Sequence, residues 1–208
     1  MPRRQHHLRS RTQAIPVLAA VLALGCTPAR DTFVRGDIIT APVPERFSVC
    51  HGHGCRWLDT VGLTPEQWLE VRRLFEPPAP DAAAERRRIA TAVAYLERLS
   101  GARTGTAGDL AMTRFDRTGP DQLDCIDEST NTTTYLRLLE SGGLLRHHAV
   151  APRATRGLFI GRWPHTTAVI REIPGATAYA VDSWFHPNGA APEILPLEVW
   201  RDGWRPGP

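Results

Sequence analysis

Helical spacing of apolar residues dominates the first half of this chain, and short apolar runs dominate its second half. The motif Thr64-Pro65-Glu66-Gln67 offers an N-cap, a first-turn proline and a capping-box glutamine. It predicts a short helix that ends before Pro77-Pro78. Asp81 caps a second predicted helix, in which apolar residues recur every three or four positions until Ser100-Gly101. Residues 101–120 are predicted to be an irregular connection.

A third helix is predicted from about Cys125 to Glu140, because Asp121 or Asp124 can cap it and Gly142-Gly143 can stop it. From Cys125 onward, one face follows helical spacing and begins with small residues. The pattern therefore predicts a helix that approaches a sheet closely, with a cysteine at its start.

Two apolar runs that follow this helix predict a β-hairpin, in which His165 precedes the first run and Asp182 ends the second. Pro174-Gly175 supplies the middle of the turn. A two- or four-residue loop centred on that pair puts His165 opposite Trp184, with Asp182 diagonal to it on the same face. A three- or five-residue loop points the two side chains apart. Helices, a hairpin and many Pro and Gly residues together predict an α+β domain.

The N-terminal sequence predicts where the protein is located. Four arginines precede the apolar stretch 14–24, and Gly25-Cys26 follows it. This pattern predicts an export signal over residues 1–25 rather than a spanning helix. The stretch resembles a bacterial lipoprotein signal, which implies lipidation of Cys26 and attachment to the membrane on the periplasmic side of the cell envelope. A plain secretory signal is the alternative. Residues 26–44 are polar and are predicted to form a flexible tether.

Removal of the signal also changes the charge. The full chain has 25 Lys and Arg, all of them Arg, against 22 acidic residues and carries a formal charge of +3. Without the four signal arginines, 21 basic residues face 22 acidic ones, so the formal charge becomes −1. The basicity belongs to the signal, and nucleic-acid binding is not predicted. Residues 45–208 are predicted to form one domain, with a helical N-terminal part (45–120) and a core (121–204).

Four cysteines raise the question of pairing. If Cys26 is lipidated, three face an oxidising compartment and at least one stays unpaired. Cys50 and Cys55 are separated by His51-Gly52-His53-Gly54, whose glycines ease a tight disulfide loop, and their pairing leaves Cys125 free. A metal site of Cys50, His51, His53 and Cys55 is an alternative, although four ligands within six residues crowd one another. A bridge from Cys125 to Cys50 or Cys55 is the third.

A free Cys125, followed in the chain by His165 and Asp182, suggests a thiol nucleophile, its base and an orienting carboxylate. The start of a helix favours a thiolate through the helix dipole, whereas Asp127 and Glu128 disfavour it. A cationic imidazole would therefore have to dominate. The chemistry needs no cofactor or metal, and none is predicted.

The segments Asp124-Cys125-Ile126-Asp127, 163–169 and 179–184 resemble the transglutaminase-like superfamily of papain-type thiol enzymes. The resemblance implies a papain-like core, with Cys at a helix start and His and Asp on adjacent antiparallel strands. It further implies that Cys125 attacks an amide or ester carbonyl to form an acyl-enzyme. Candidate oxyanion donors are the backbone N–H of Cys125 and the amide of Gln122.

The expected function is that of an exported thiol hydrolase or acyl transferase acting on amide bonds of a protein or peptide. Trp163 and Trp184 are expected to flank the triad as groove walls. Two alternatives stay open, a non-catalytic peptide-binding module on the same fold and a papain-like endopeptidase of cell-wall peptides. The sequence leaves the oligomeric state open. His147-His148 is expected to be exposed.

Overall fold

The computed structural model describes Met1, Phe33 and residues 35–114, 117–157 and 163–207. The predicted signal peptide over residues 1–25 and the predicted lipidation site Cys26 lie outside this part of the chain, as does the first part of the tether 26–44. Among the helices of the described residues, none combines the length and the apolar character that a bilayer crossing requires.

Helices and antiparallel sheets alternate in blocks along the described residues. In chain order the elements are β1 (Phe47–His51), β2 (Trp57–Val61), α1 (Pro65–Arg73), α2 (Ala82–Thr104), α3 (Cys125–Ser141), β3 (His148–Arg156), β4 (His165–Glu172), β5 (Ala178–Asp182), β6 (Glu193–Pro196) and α4 (Leu197–Arg201). The strands β1 and β2 form a hairpin, and β3, β4, β5 and β6 form an antiparallel sheet in that order. The predicted α+β class is therefore confirmed.

The first two helices begin where their caps predict. The Thr64 side chain accepts from the Gln67 N–H and completes a capping box, and the Asp81 side chain accepts from the Ala84 N–H. The prediction that α2 ends at Ser100-Gly101 is wrong, because the helix continues to Thr104 and is closed by Gly105 with φ +78°. Gly101 serves packing instead, since a Cβ there would lie 2.8 Å from the Asn188 side chain.

The helix α3 is the centre of the fold and is buried on nearly every side, not on one face as its apolar stripe predicts. The four-stranded sheet, β1 and α2 enclose it. Its polar side chains are small and bonded: the Thr133 hydroxyl donates to the Ser129 carbonyl, and the Asn131 amide both accepts from and donates to the Cys50 backbone. Burial of this polar helix is therefore possible without orphaned groups. The core around it comprises Phe47, Val49, Val71, Ile89, Val93, Leu96, Tyr135, Leu136, Leu138, Leu139, Ala168, Ile170 and Val181.

The β4–β5 hairpin has the register that brings His165 and Asp182 to one face. Ala168 pairs with Val181, and the Glu172 N–H donates to the Thr177 carbonyl at 2.9 Å around a four-residue loop. This register places His165 level with Trp184 and Asp182 diagonal to it, as the Pro-Gly turn predicts.

The start of β3 contradicts the expectation of an exposed histidine pair. His148 is buried, and its Nδ1 lies 2.9 Å from a carboxylate oxygen of Glu85 on α2. The same carboxylate accepts from the backbone N–H groups of Arg146 and His147. Glu85 therefore joins α2 to the edge of the sheet, and these bonds and the nearby His148 lower its pKa against the opposing effect of burial.

Candidate active site

An imidazole and a carboxylate meet at the ends of β4 and β5. His165 Nε2 lies 2.6 Å from Asp182 Oδ2, and both side chains are buried. An ionised carboxylate accepts hydrogen bonds, so this contact assigns the ring proton to Nε2 and leaves Nδ1 as the basic nitrogen. His165 Nδ1 is buried and has no hydrogen-bond partner among the described residues. The imidazole thus presents one oriented nitrogen that is free to accept a proton.

The Cys125 thiol lies near the start of β4, which carries His165. Cys125 is the first residue of α3, after the Asp124 cap, and it is the free cysteine of the described part of the chain. The backbone N–H of Thr166, the residue after His165, donates toward the Cys125 sulfur. The Asp182 carboxylate is near enough to affect the pKa of the Cys125 thiol. The fold therefore brings Cys125, His165 and Asp182 together from one helix and two adjacent strands.

The electrostatics of the thiol differ from the expectation for a helix start. Burial raises the pKa of the Cys125 thiol to about 11, with smaller upward contributions from the carboxylates of Asp124 and Asp182. The Thr166 N–H opposes the rise. Asp124 replaces the expected Asp127 and Glu128 as the principal acid on the helix. A thiol with this pKa is protonated at neutral pH, so reactivity requires that a base take its proton.

A box of aromatic rings surrounds the imidazole. The ring centroids of Trp184, Phe185 and Trp200 lie 4.6, 5.4 and 5.4 Å from that of His165. Trp200, on α4, also donates from Nε1 to Asp182 Oδ2 at 2.6 Å, on the oxygen that faces the imidazole. Nothing in the local sequence pattern around Trp200 links it to Asp182, so the sequence gives no signal for this contact. These rings exclude water from the His–Asp contact and strengthen it.

The other predicted site residues have different surroundings. Trp184 is buried and donates from Nε1 to the Thr113 carbonyl at 3.1 Å. It therefore packs against the imidazole from inside the protein and does not line an open groove, whereas the sequence predicted a groove wall. Trp163 is 66% exposed at the approach to β4. The amide nitrogen of Gln122 lies 3.4 Å from the Gly108 carbonyl and 3.2 Å from that of Asp121. The side-chain N–H groups of Gln122 are therefore already hydrogen-bonded within the protein, and the oxyanion role of Gln122 stays a prediction.

The backbone N–H of Cys125 is a better placed oxyanion donor. As the first residue of a helix it has no partner within the helix, and it donates to no other residue that the structure describes. The helix dipole adds a positive potential at the same place. A carbonyl oxygen of a substrate bound at the sulfur would meet this donor.

The connection predicted as irregular, residues 101–120, contributes a platform next to the site. The Asp109 carboxylate accepts from the Leu123 N–H at 2.7 Å, and the Met112 N–H donates to the Trp184 carbonyl at 2.8 Å. Leu110 and Met112 nevertheless expose their apolar side chains, and Met112 has φ +57°. A methionine in this left-handed region is uncommon. The sequence carries no signal for this platform.

Three carboxyl side chains, Glu97, Asp109 and Glu128, form a buried acid cluster behind the site. Burial is the largest cause that raises the pKa of Glu97 and of Asp109 to about 7. Burial, followed by the charges of neighbouring acids, Asp182 among them, raises the pKa of Glu128 well above its ordinary value. The same effects therefore disfavour a second negative charge next to the Asp182 carboxylate.

A disulfide joins Cys50 to Cys55, so the bridges to Cys125 that the sequence left open are not made. Asp127 is the one further ligand-type side chain of the described residues that lies within 4.8 Å of both sulfurs. The two sulfurs are bonded to each other and are not thiolate ligands, which removes the four-residue metal site considered from the sequence.

The sequence matches no model of a known protein family, and comparisons with curated proteins and with solved structures found no significant match. The resemblance to the transglutaminase-like superfamily therefore stays a prediction. The arrangement of Cys125, His165 and Asp182 is a property of this fold and does not depend on that resemblance.

Proposed function

We propose that this protein is an exported thiol hydrolase or acyl transferase that acts on amide bonds of a protein or peptide. The observation that carries the proposal is the His165 imidazole, which is bonded through Nε2 to Asp182 at 2.6 Å, has an unpartnered Nδ1 among the described residues, and is followed by Thr166, whose N–H donates toward the free Cys125 sulfur. A base oriented in this way compensates for a thiol that burial keeps protonated.

The chemistry follows from the two nitrogens of the imidazole. The thiol proton moves to His165 Nδ1 while the Cys125 sulfur bonds to the substrate carbonyl carbon. Asp182 stabilises the resulting imidazolium, and the Cys125 N–H stabilises the oxyanion. The amide C–N bond then breaks as the proton passes from Nδ1 to the leaving nitrogen. Water or a second amine then gives its proton to Nδ1 and attacks the acyl carbon. The C–S bond breaks, and the Cys125 sulfur regains a proton from Nδ1 to restore the thiol.

Supply of the orienting carboxylate from the strand that follows the histidine favours a transglutaminase-like arrangement over that of the cell-wall endopeptidases. Hydrolysis is the simpler outcome in an aqueous compartment, because acyl transfer requires a groove that excludes water. Export and attachment to the membrane through a lipid on Cys26 rest on the sequence pattern of residues 1–26. The proposed substrates are therefore proteins or peptides of the cell envelope.

Alkylation and acylation of the single free thiol test the proposal. All proteins carry Cys26→Ala, so that Cys125 is the one thiol able to react. Iodoacetamide should modify the parent at least tenfold faster than His165→Ala at pH 7, because a general base of this kind contributes about 10² or more. His186→Ala is the matched control, since its Nε2 makes a 2.9 Å contact with Glu193 away from the thiol.

Reaction with p-nitrophenyl acetate should add one acetyl group to Cys125 in the parent and release it on further incubation. Cys125→Ala should show neither event. Intact-mass measurement follows both steps.

The alternative is a non-catalytic module that holds an extended peptide in the same groove. The raised pKa of the Cys125 thiol favours this alternative, since a protonated thiol beside a neutral imidazole is inert. Equal alkylation rates in the parent and in His165→Ala, together with no acetylation, would establish it in place of the enzyme.

A further inference from the structure

The loop between Cys50 and Cys55 has an unusual backbone. Gly52, His53, Gly54 and Cys55 all have positive φ values, of 80°, 69°, 66° and 56°. Glycine adopts this left-handed region at no cost, but His53 and Cys55 each lose about 1 kcal/mol or more there. The Cys50–Cys55 disulfide closes the loop. Such a conformation persists only where surrounding contacts stabilise it.

Those contacts are hydrogen bonds to the two carboxylates that flank Cys125 along the chain. The N–H groups of His53 and Cys55 donate to the two oxygens of Asp127 at 2.7 and 2.6 Å. The Gly54 N–H donates to Asp124 Oδ2 at 3.0 Å. Consecutive N–H groups in a left-handed turn converge in this way on an anion. The loop thus forms an anion-binding nest, and the first turn of α3 supplies the anions.

The nest acts on the electrostatic surroundings of the thiol. The titratable groups at this end of the fold are His165 on β4, Asp182 on β5, and Asp124, Asp127 and Glu128 at the start of α3. After burial, the Asp124 and Asp182 carboxylates add to the raised pKa of the Cys125 thiol. The Gly54 N–H that donates to Asp124 weakens the effect of that carboxylate. The loop also fixes the position of the helix start, because the Gly52 N–H donates to the Gln122 carbonyl at 2.9 Å.

We propose that the Cys50–Cys55 loop is a disulfide-locked positioning element that makes Cys125 reactive, and that opening the disulfide switches the nucleophile off. This inference rests on the proposed role of Cys125 as nucleophile. The switching step is reduction by an external dithiol, which becomes a disulfide while Cys50 and Cys55 each gain one electron and one proton. The freed loop leaves the left-handed region, and its N–H groups leave Asp124 and Asp127.

The test compares Cys50→Ala/Cys55→Ala with the parent, both in the Cys26→Ala background. The readout is the pH profile of iodoacetamide alkylation at Cys125. We expect the midpoint of the double variant to rise by about one pH unit, which corresponds to about tenfold slower alkylation at pH 7. Glu85→Gln is the control for lost stability in general, because Glu85 lies at the start of β3, away from the loop, and its alkylation profile should not change.

A third change separates an electrostatic role from a purely structural one. Asp124→Asn, added to the double variant, removes the nest-bound carboxylate that adds to the raised pKa of the thiol and keeps a side chain that can cap α3. Alkylation should recover severalfold if the loop acts through charge, whereas a structural role predicts no recovery. Identical profiles for the parent and the double variant, or no recovery with Asp124→Asn, would overturn the proposal.

If the double variant does not fold, the same profile is measured on the parent after native reduction with a phosphine. Peptide mapping then resolves Cys125 from Cys50 and Cys55, and the same criterion applies to the midpoint. A profile that depends on His165 but not on the loop would refute this inference and leave the proposed function intact, whereas a profile that does not depend on His165 would refute the proposed function.

Discussion

Trp200→Phe tests whether the indole beneath the His–Asp pair does more than fill space. The Nε1–H of Trp200 donates to the buried Asp182 carboxylate at 2.6 Å, and Trp200 is completely buried. A hydrogen bond to a charged group contributes about 1.5–3 kcal/mol, because its loss leaves the carboxylate less satisfied in a dry site. The smaller ring also gives up roughly 1 kcal/mol of apolar burial. We therefore expect the free energy of unfolding to fall by about 3 kcal/mol.

Urea unfolding monitored by circular dichroism measures this change. Trp204→Phe is the matched control, since its ring makes an edge contact with Phe185 at 5.8 Å and lies partly exposed. The control should lose less than about 1 kcal/mol. If both variants lose the same small amount, the Trp200–Asp182 hydrogen bond contributes nothing and the reasoning about a dry, fully bonded carboxylate is wrong.

Three further perturbations probe the rest of the fold. The pKa values of Glu97 and Asp109 are raised to about 7, so the folded state binds more protons than the unfolded state between about pH 4 and 7. The free energy of unfolding should therefore fall by about 2 kcal/mol or more from pH 5 to pH 8. Urea titrations that show a rise over this range would contradict the prediction. Glu85→Gln should cost about 2 kcal/mol at pH 7, because one carboxylate accepts from two backbone N–H groups and His148; a loss below about 0.5 kcal/mol would show that the amide suffices. Gly62→Ala should lower the melting temperature strongly, since a Cβ would lie 2.1 Å from the Glu45 carbonyl oxygen, whereas Gly108→Ala, with nothing within 4 Å, should melt like the parent.

Local signals account for the parts of this protein that the sequence predicts. Caps at Thr64, Asp81 and Asp124 place three helix starts, because a capping side chain bonds to N–H groups only two or three residues away. The Pro174-Gly175 turn sets the hairpin register by parity, and that register alone puts His165 and Asp182 on one face. The α+β class and the side chains of the proposed triad follow from these short-range rules.

The surroundings of the triad depend on contacts between residues that are far apart in the chain. Trp200 reaches Asp182 from another element, the nest of residues 52–55 meets α3 some 70 positions later, and Glu85 bonds to the start of β3. No local spacing encodes such pairs, since each depends on how the elements pack. Local sequence patterns therefore identify the side chains that could do chemistry and the face that His165 and Asp182 share. The burial that keeps the Cys125 thiol protonated follows from the packed fold, because desolvation depends on every group packed around the sulfur.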